Sequence, residues 1–331
     1  MTVGPNGNPI IVYNHPGEGQ VKLAVCDDPG CTSATVSSLT ATSAIRDHDV
    51  AIGANGLPVI AWVRSSNNRL QLLMCADPAC SSGAFQEMTG GVSSSNDGIS
   101  LAIGPTGLPM VSFRSGGNNL AVAACIVPDC SGAQTTEITS GGQRSSMVIA
   151  PSPGGQGTPL ISFIDNFGFL AVAACSQPDC SSSTVHNHST LGDSVESTLI
   201  TLNRLGQPLV FFTRGSPGGG SYLLTCTTNC AAQASSTVLS TARYDAMALG
   251  ARALPVMIDS LSAGLTMIQC DNTACTDRHT RNEFGGNPAE FSTITVRPDG
   301  RPVVAYRNTN TQALEILDCA NALCAPFFRV R

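Results

Sequence analysis

Fourteen cysteines are the residues of this chain whose type and spacing carry the clearest chemistry. They fall into seven close pairs, with three or four residues between the partners. Zinc sites favour Cys-x-x-Cys spacings that bring four ligands together, whereas here the next pair lies a whole repeat away. Local disulfides account for every cysteine. The predicted disulfides are Cys26–Cys31, Cys75–Cys80, Cys125–Cys130, Cys175–Cys180, Cys226–Cys230, Cys270–Cys275 and Cys319–Cys324.

These disulfides also indicate a cellular compartment, because they form and persist in oxidising surroundings. Each would close a loop of about six residues, worth on the order of 2 kcal/mol in the chain-entropy model. Only 12% of the residues are charged and the net charge is −6, which is unlike a nucleic-acid binder. No apolar run reaches the roughly 18 residues that a membrane-spanning helix needs. We therefore expect a secreted or cell-surface protein with no nucleic-acid partner and no transmembrane segment.

A second set of chemically capable residues, mainly arginines and acids, lies in or beside the loops that differ between repeats. The planar donor fork of arginine suits carboxylates and sugar hydroxyls, so we interpret this set as a candidate ligand-binding site. The alternative is that these are solvated loop charges and ion pairs worth little each. The candidates are Arg64, Arg114, Arg144, Arg214, Arg243, Tyr244, Arg307, Asp49, Asp97, Glu196 and Asp245.

Catalytic and metal-binding patterns are weaker. The five histidines are scattered, and no catalytic residue is assigned. His186 and His188 would point to the same side of a strand, but without an evident third ligand a surface pair is favoured over a metal site. The run Asp47-His48-Asp49 is a weak candidate for holding a cation. No cofactor and no metal ligand are predicted, and the binding of a cation is left open.

A repeated unit must position these residues. The stretch Gly53–Ser81 contains a Gly-rich turn, an apolar run opened by Pro58, a polar loop and a second apolar run that ends at Cys75. The first cysteines of successive pairs lie 44 to 51 residues apart. A fixed period near fifty, built from short strands and turns, is typical of propellers and solenoids. The equivalent prolines are Pro9, Pro58, Pro109, Pro159, Pro208, Pro255 and Pro302.

Each repeat predicts four strands. Examples are a short first strand at Ser100–Ile103, a second opened by proline at Pro58–Trp62, a third ending in cysteine at Leu70–Cys75, and a polar fourth at Phe85–Met88. In the last repeat the fourth strand is predicted at Phe327–Val330. Seven such units predict an all-β, seven-bladed β-propeller with one intrablade disulfide per blade, in one domain over 1–331. The repeats start near residues 1, 50, 101, 147, 198, 246 and 293.

The turns divide between two faces of this propeller. The connections between strands one and two carry Asn6-Gly7, Asn55-Gly56 and Asp299-Gly300, which are typical of type I′ hairpins. Repeat six has Arg252-Ala253 instead, so its turn should differ. These turns and the cysteine turns share one repeated face. The other face holds the two-to-three and four-to-one loops, which differ between repeats, and we expect ligand-binding residues there.

An aromatic residue lies four positions after the repeat proline in six of the seven repeats. A lectin would stack sugars on such a series, but its regularity favours the core between blades, and repeat six has Asp259 at this position. Phe167, Phe169 and Tyr244 are better candidates for an exposed aromatic contact. The aromatic series is Tyr13, Trp62, Phe113, Phe163, Phe212 and Tyr306.

The unit G-x-x-G-L-P followed by C-x-D-P-x-C resembles repeats of exported bacterial β-propeller proteins of largely unassigned role. The resemblance covers the whole chain, but its motifs are structural. More distantly, the architecture is similar to that of seven-bladed lectins and sialidase-like propellers. The sialidase-type Asp box, S-x-D-x-G-x-T-W, is absent, so the resemblance implies no catalytic residue.

The leading functional hypothesis is a recognition or adhesion module that binds a glycan or an extracellular protein through the variable loops. An enzyme is the less favoured alternative, in the form of a hydrolase or lyase with an axial active site. A structural subunit of a surface layer or fibre is a third hypothesis. The sequence carries no indication of oligomeric state.

Overall fold

The computed structural model of the chain describes residues 1–15, 20–39, 45–95, 98–151, 157–192, 194–215, 219–226, 229–231, 233–240, 245–250, 252–261, 264–284 and 289–324. Blade one contains β1 (Thr2–Val3), β2 (Pro9–His15), β3 (Gln20–Cys26) and β4 (Ala34–Ser38). Blade two contains β5 (Ile45–Ile52), β6 (Pro58–Arg64), β7 (Arg69–Cys75) and β8 (Gly83–Thr89). Blade three contains β9 (Ser100–Ile103), β10 (Pro109–Arg114), β11 (Asn119–Cys125) and β12 (Ala133–Ser140).

The remaining blades repeat this arrangement. Blade four contains β13 (Gln143–Ala150), β14 (Thr158–Ile164), β15 (Leu170–Cys175) and β16 (Ser183–Asn187). Blade five contains β17 (Val195–Leu202), β18 (Pro208–Arg214), β19 (Gly220–Cys226) and β20 (Gln233–Ser240). Blade six contains β21 (Ala246–Leu249), β22 (Pro255–Leu261), β23 (Gly264–Cys270) and β24 (Arg278–Phe284). Blade seven contains β25 (Ala289–Val296), β26 (Pro302–Asn308) and β27 (Leu314–Asp318).

The predicted fold is confirmed: seven separate sheets follow one another, each with its strands in antiparallel sequence order. The fourth strand predicted for blade seven, Phe327–Val330, lies outside the described residues. The described part of the chain has a single short 3₁₀ helix at Ser189–Leu191, after β16. None of its helices is long and apolar enough to cross a membrane. The outer strands are largely exposed, as their polar sequences predict.

The hairpins between strands one and two differ from the type I′ prediction. Only the glycine of each dipeptide has a positive φ, as at Gly7 (82°) and Gly56 (79°). Gly7 N–H donates to Gly4 O, and Gly4 N–H donates to Asn8 O, both at 2.9 Å. This is the three-residue loop in which a type I turn is followed by one left-handed residue. Asparagine precedes the glycine because its side chain closes the loop, as when Asn6 Oδ1 accepts from Asn8 N–H.

The turn of repeat six was predicted to differ, and that prediction is wrong. Ala253 has φ 53° and occupies the position that glycine holds in the other turns. Its N–H donates to Gly250 O at 2.8 Å, the same bond that Gly56 makes to Gly53. The backbone pattern of the repeat therefore persists although alanine carries the steric cost of a left-handed conformation.

All seven predicted disulfides are present within single blades. The second cysteine of every pair has a left-handed backbone, with φ between 49° and 59°. In blade two, Cys80 N–H donates to Asp77 O at 3.0 Å and Ala76 N–H donates to Ser82 O at 2.9 Å. Six of the seven cysteine turns have this bond to the second cysteine and are therefore hydrogen-bonded turns as well as covalent loops; the turn of blade five lies partly outside the described residues.

The core lies between blades. Seven clusters of buried apolar residues each span two neighbouring blades. The last cluster joins Ile11 and Cys26 of blade one to Ala305 of blade seven, so packing closes the ring. Each disulfide lies in the cluster shared with the preceding blade, which makes it part of the interface as well as a local link. Cys230 and Cys275, for example, are fully buried in such clusters.

The aromatic series is interblade core, as its regularity predicts. Trp62, Phe113, Phe163 and Phe212 are at most 1% exposed. Tyr13 and Tyr306 are half-buried against the clusters on either side of blade seven. These aromatic side chains fill the part of six of the seven interfaces nearest the variable loops, and Asp259 takes this position between blades five and six.

Candidate functional site

The first strands of consecutive blades pack side by side and form the inner ring, including the contact of β25 with β1. Backbone N–H groups of one first strand donate to side-chain oxygens of the previous one in three successive interfaces. Leu101 donates to Asp49 Oδ2 at 2.8 Å, and Met147 donates to Ser100 Oγ at 3.1 Å. The third bond joins Ile200 N–H to Ser146 Oγ at 3.2 Å. In these three interfaces, the bonds fix the position of one blade relative to the next along the propeller axis.

At the variable-loop end of the inner ring, five blades have a left-handed residue close to the start of the first strand. Four of these residues occupy the equivalent position, and we call this group the axial rim; the fifth is Ser194 (φ 63°), which directly precedes β17. In three of the four blades the residue lies at a β-bulge, where the register of the first two strands shifts. Bulges re-aim side chains and are frequent beside binding sites. The axial rim comprises Asp47 (φ 45°), Gly98 (77°), Arg144 (52°) and Phe291 (54°).

Arg144 is the best-placed candidate of the axial rim. Its side chain is exposed, while its backbone is held from both sides. Thr198 of blade five donates its hydroxyl to Arg144 O at 3.1 Å. On the blade-three side, a Cβ at Gly98 would stand 3.5 Å from Arg144 Cα, so the two residues pack closely. An exposed guanidinium on an immobilised backbone suits recognition of a carboxylate or a sugar hydroxyl.

Two phenylalanines on the variable loops are exposed. Phe291 of the axial rim is 79% exposed, and Phe167 in the β14–β15 loop is 80% exposed. The Phe167 loop is preorganised, because Asp165 Oδ1 accepts from the N–H groups of Phe167 at 2.8 Å and Phe169 at 2.9 Å. Phe169 itself is half-buried. Exposed rings on ordered loops offer stacking or apolar contact at low entropic cost.

Two of the other predicted arginines, Arg214 and Arg307, take part in contacts within the protein. Arg214 lies over the Tyr222 ring at 5.6 Å, and that ring stacks on Phe212 at 5.1 Å. Arg307 contacts Glu290 Oε2 at 3.5 Å and also bonds Gln312. Arg64 and Arg114 are half-buried at the ends of their second strands, lining the base of the loops. They are therefore less available to a ligand than Arg144.

Among the acidic candidates, Asp49 is a structural residue, since its carboxylate accepts the Leu101 N–H between two blades. Burial raises the pKa of this carboxyl above its ordinary value. Burial lowers the pKa of the adjacent His48 to about 4. Glu196 is exposed on blade five, close to Gly215. Arg243, Tyr244 and Asp97 lie outside the described residues.

The candidate Asp245 lies near a buried acid that interrupts the aromatic series in repeat six. It is exposed and accepts a hydrogen bond from Ser292 Oγ of blade seven at 3.0 Å. Its neighbour Asp259, at the aromatic position of repeat six, is 2% exposed. Burial, with a smaller effect of the Asp245 charge, raises the pKa of Asp259 to about 7. The substitution of an acid into an otherwise aromatic series was the available sign of this pair.

Arg46 is a further structural residue that the sequence did not indicate. Its guanidinium donates to Ser93 O, Ser94 O and Asn68 Oδ1, linking blade two to the loop before β9. His186 and His188 each have a buried Nε2 without a hydrogen-bond partner in the described part of the chain. Burial, and then the His186 charge, lower the pKa of His188. Within the described residues, no group of three or more His, Cys, Asp or Glu side chains could hold a metal ion.

No protein-family model and no curated protein matches this chain. Several solved structures do. A fungal alcohol oxidase of the AA5 family in complex with copper is similar with a TM-score of 0.63 at 9% identity, over 94% of this chain and 71% of that one. The polysaccharide lyase Uly1 is similar with a TM-score of 0.57 at 9% identity, over 93% and 87%. Virginiamycin B lyase from Staphylococcus aureus is similar with a TM-score of 0.52 at 11% identity, over 91% and 92%.

The likeness is one of fold alone. Propellers serve many unrelated activities, so the chemistry of these three proteins does not pass to this chain. What distinguishes this chain is its own set of rim and loop residues.

Proposed function

We propose that the protein is a secreted or cell-surface recognition module that binds a glycan or a protein through its variable face. The observation that carries this proposal is the axial rim. Equivalent positions in different blades present Asp47, Arg144 and Phe291 from left-handed backbones. Such conformations cost on the order of 1 kcal/mol per residue, and they cluster where side chains must be aimed.

The contrast between the two faces supports the same conclusion. On one face the hairpins and cysteine turns repeat the same hydrogen bonds from blade to blade. On the other face the loops differ in sequence and carry arginines, acids and exposed phenylalanines. Variable polar loops on a rigid scaffold are the usual place for recognition. Seven intrablade disulfides fit an oxidising extracellular setting.

The ligand chemistry follows from Arg144 and the phenylalanines. A carboxylate or a dense set of hydroxyls would accept from the guanidinium, and the face of a sugar ring or an apolar side chain would contact Phe291 or Phe167. An acidic glycan or an acidic, partly apolar protein segment satisfies both requirements.

A glycan array and a pull-down with extracellular extracts would identify the ligand. Arg144→Ala should then weaken binding by about 10-fold to 100-fold, because a charge-assisted hydrogen bond contributes roughly 1.5–3 kcal/mol. Arg252→Ala is the matched control, since Arg252 is an exposed arginine on the opposite face. The proposal would be refuted if neither the glycan array nor the pull-down detects binding, or if binding depends on Arg252 and not on Arg144.

A further inference from the structure

Two histidines at the end of the outer strand of blade four face the interface with blade five. His186 of β16 is the cross-strand partner of Val172, and His188 N–H continues the ladder by donating to Leu170 O at 2.9 Å. Val172 and Leu170 both belong to the apolar cluster shared by blades four and five. Cross-strand partners point to the same face of a sheet, so both imidazoles are directed towards blade five.

His188 takes a position that is apolar in blade one. There, Leu39 N–H donates the equivalent bond to Val21 O at 2.8 Å. Leu39 is 5% exposed and lies in the cluster between blades one and two. His188 is buried to a similar extent, at 6% exposed, so the expectation of a surface pair does not hold for this residue. An imidazole at such a position costs free energy unless its polar nitrogens find partners.

Both rings have a buried nitrogen that lacks such a partner. Nε2 of His186 and Nε2 of His188 are enclosed, and neither forms a hydrogen bond to any residue that the structure describes. Burial lowers the pKa of His188, and the charge of nearby His186 lowers it further. His188 is therefore kept neutral, and a neutral imidazole can coordinate a metal ion. A bound ion is one way in which proteins satisfy a buried polar atom.

We propose that Nε2 of His186 and Nε2 of His188 bind one Zn²⁺ or Cu²⁺ ion at the interface between blades four and five, with water as the remaining ligands. Imidazole nitrogen suits both ions, whereas Ca²⁺ and Mg²⁺ take oxygen ligands. The site has two protein ligands, fewer than the groups of three or more His, Cys, Asp or Glu side chains, of which the described residues contain none. It therefore keeps open coordination positions, unlike a closed structural zinc site.

One positive charge lies nearby on blade five. A Cβ at Gly192, at the far end of the short 3₁₀ helix that follows His188, would overlap the Arg214 guanidinium, so Gly192 and Arg214 are in contact. This charge disfavours a cation, although the guanidinium also lies over the Tyr222 ring. We therefore expect weaker binding than at a zinc site with four protein ligands, and tighter binding of Cu²⁺ than of Zn²⁺.

The test uses the full oxidised chain without a histidine tag, freed of metal with a chelator, and Zn²⁺ and Cu²⁺ as separate probes. Calorimetry should show one saturable site per chain. The electron paramagnetic resonance spectrum of bound Cu²⁺ should show splitting from two imidazole nitrogens. His279→Gln is the matched control, because it removes an exposed histidine from the outer strand of blade six and should leave binding unchanged.

His188→Leu places the residue of blade one at this position and should fold for that reason. It should weaken binding of both ions by at least about 100-fold, because losing only the hydrogen-bond partner of a metal ligand already costs about 10-fold to 100-fold. His186→Gln should weaken binding similarly and leaves the buried position intact.

The proposal is overturned if neither ion binds, which is the result expected if water alone satisfies the two nitrogens. It is also overturned if binding survives in His186→Gln or His188→Leu, or if bound Cu²⁺ shows no imidazole nitrogen. These outcomes do not depend on the glycan or protein ligand of the variable face.

Discussion

Asp259→Asn should change how the stability of the protein depends on pH. Burial and Asp245 raise the pKa of the Asp259 carboxyl from 3.8 to about 7. The folded state therefore holds this proton after the unfolded chain has released it. Its contribution to stability is fully present below the unfolded pKa and is lost as the pH rises through about 7. Asparagine has a similar shape and does not titrate, so the variant should lack this loss.

The pKa shift sets the magnitude. Raising the pKa from 3.8 to about 7 corresponds to about 4 kcal/mol of unfolding free energy, at about 1.4 kcal/mol per pKa unit. Asp245 is exposed, so solvent screens the pair, and we expect about 1–2 kcal/mol between pH 5 and pH 8. The apolar cluster between blades five and six packs on the Asp259 side of the sheet, and Asp245 is the charged group that raises the pKa of Asp259 further.

Chemical denaturation at pH 5 and pH 8, with the disulfides oxidised, measures the change in the free energy of unfolding between the two pH values. The comparison must be made between the natural protein and the variant at each pH. Exposed turn carboxylates act in the opposite direction, since hydrogen bonds from Ser81 lower the pKa of Asp77 to about 2. The natural protein should lose about 1–2 kcal/mol more than Asp259→Asn on going to pH 8. An equal loss in both proteins would refute the reasoning about burial and charge.

Three further predictions concern the ring, and denaturant unfolding checks each. Gly142→Ala should cost at least about 2 kcal/mol, because φ is 96° and the new Cβ would lie 2.6 Å from Leu120 Cα. Gly91→Ala should be nearly neutral, because its Cβ would meet only Thr89 Oγ1, at an ordinary contact distance of 4.0 Å. Replacing Cys175 and Cys180 by alanine should cost at least about 2 kcal/mol, since a loop constraint and interface packing are both lost; no change would contradict the interface role. Phe163→Ala should cost about 3–5 kcal/mol.

The sequence predicts the fold well because the same pattern of proline, glycine and cysteine recurs in seven successive repeats. Proline opens the second strand, glycine takes the left-handed position, and the cysteines fix the outer turn. The type I′ assignment was wrong because a dipeptide does not distinguish one left-handed residue from two. Ala253 shows that the rest of the blade imposes the turn even without glycine.

The candidate site is less predictable, because its geometry depends on contacts between blades. Arg144 and Arg214 are both loop arginines in sequence, yet one is exposed on the axial rim and the other lies over Tyr222. Asp49 resembles a ligand-binding acid and instead holds Leu101 of the next blade. The Arg214 contact lies within blade five, whereas the Asp49 bond depends on the relative position of neighbouring first strands, which a single repeat does not encode.

The polar residues of the interfaces explain why blade six is unusual. Ser112 and Ser145 bond each other at 3.0 Å between blades three and four, and Ser162 and Thr198 do so at 2.8 Å between blades four and five. These pairs are buried but mutually satisfied, so they cost little. Asp259 lies towards the same end of its interface, with a buried oxygen that has no hydrogen-bond partner among the residues that the structure describes. An interface whose other polar groups are satisfied in pairs loses stability when this acid ionises, which agrees with the raised pKa of Asp259.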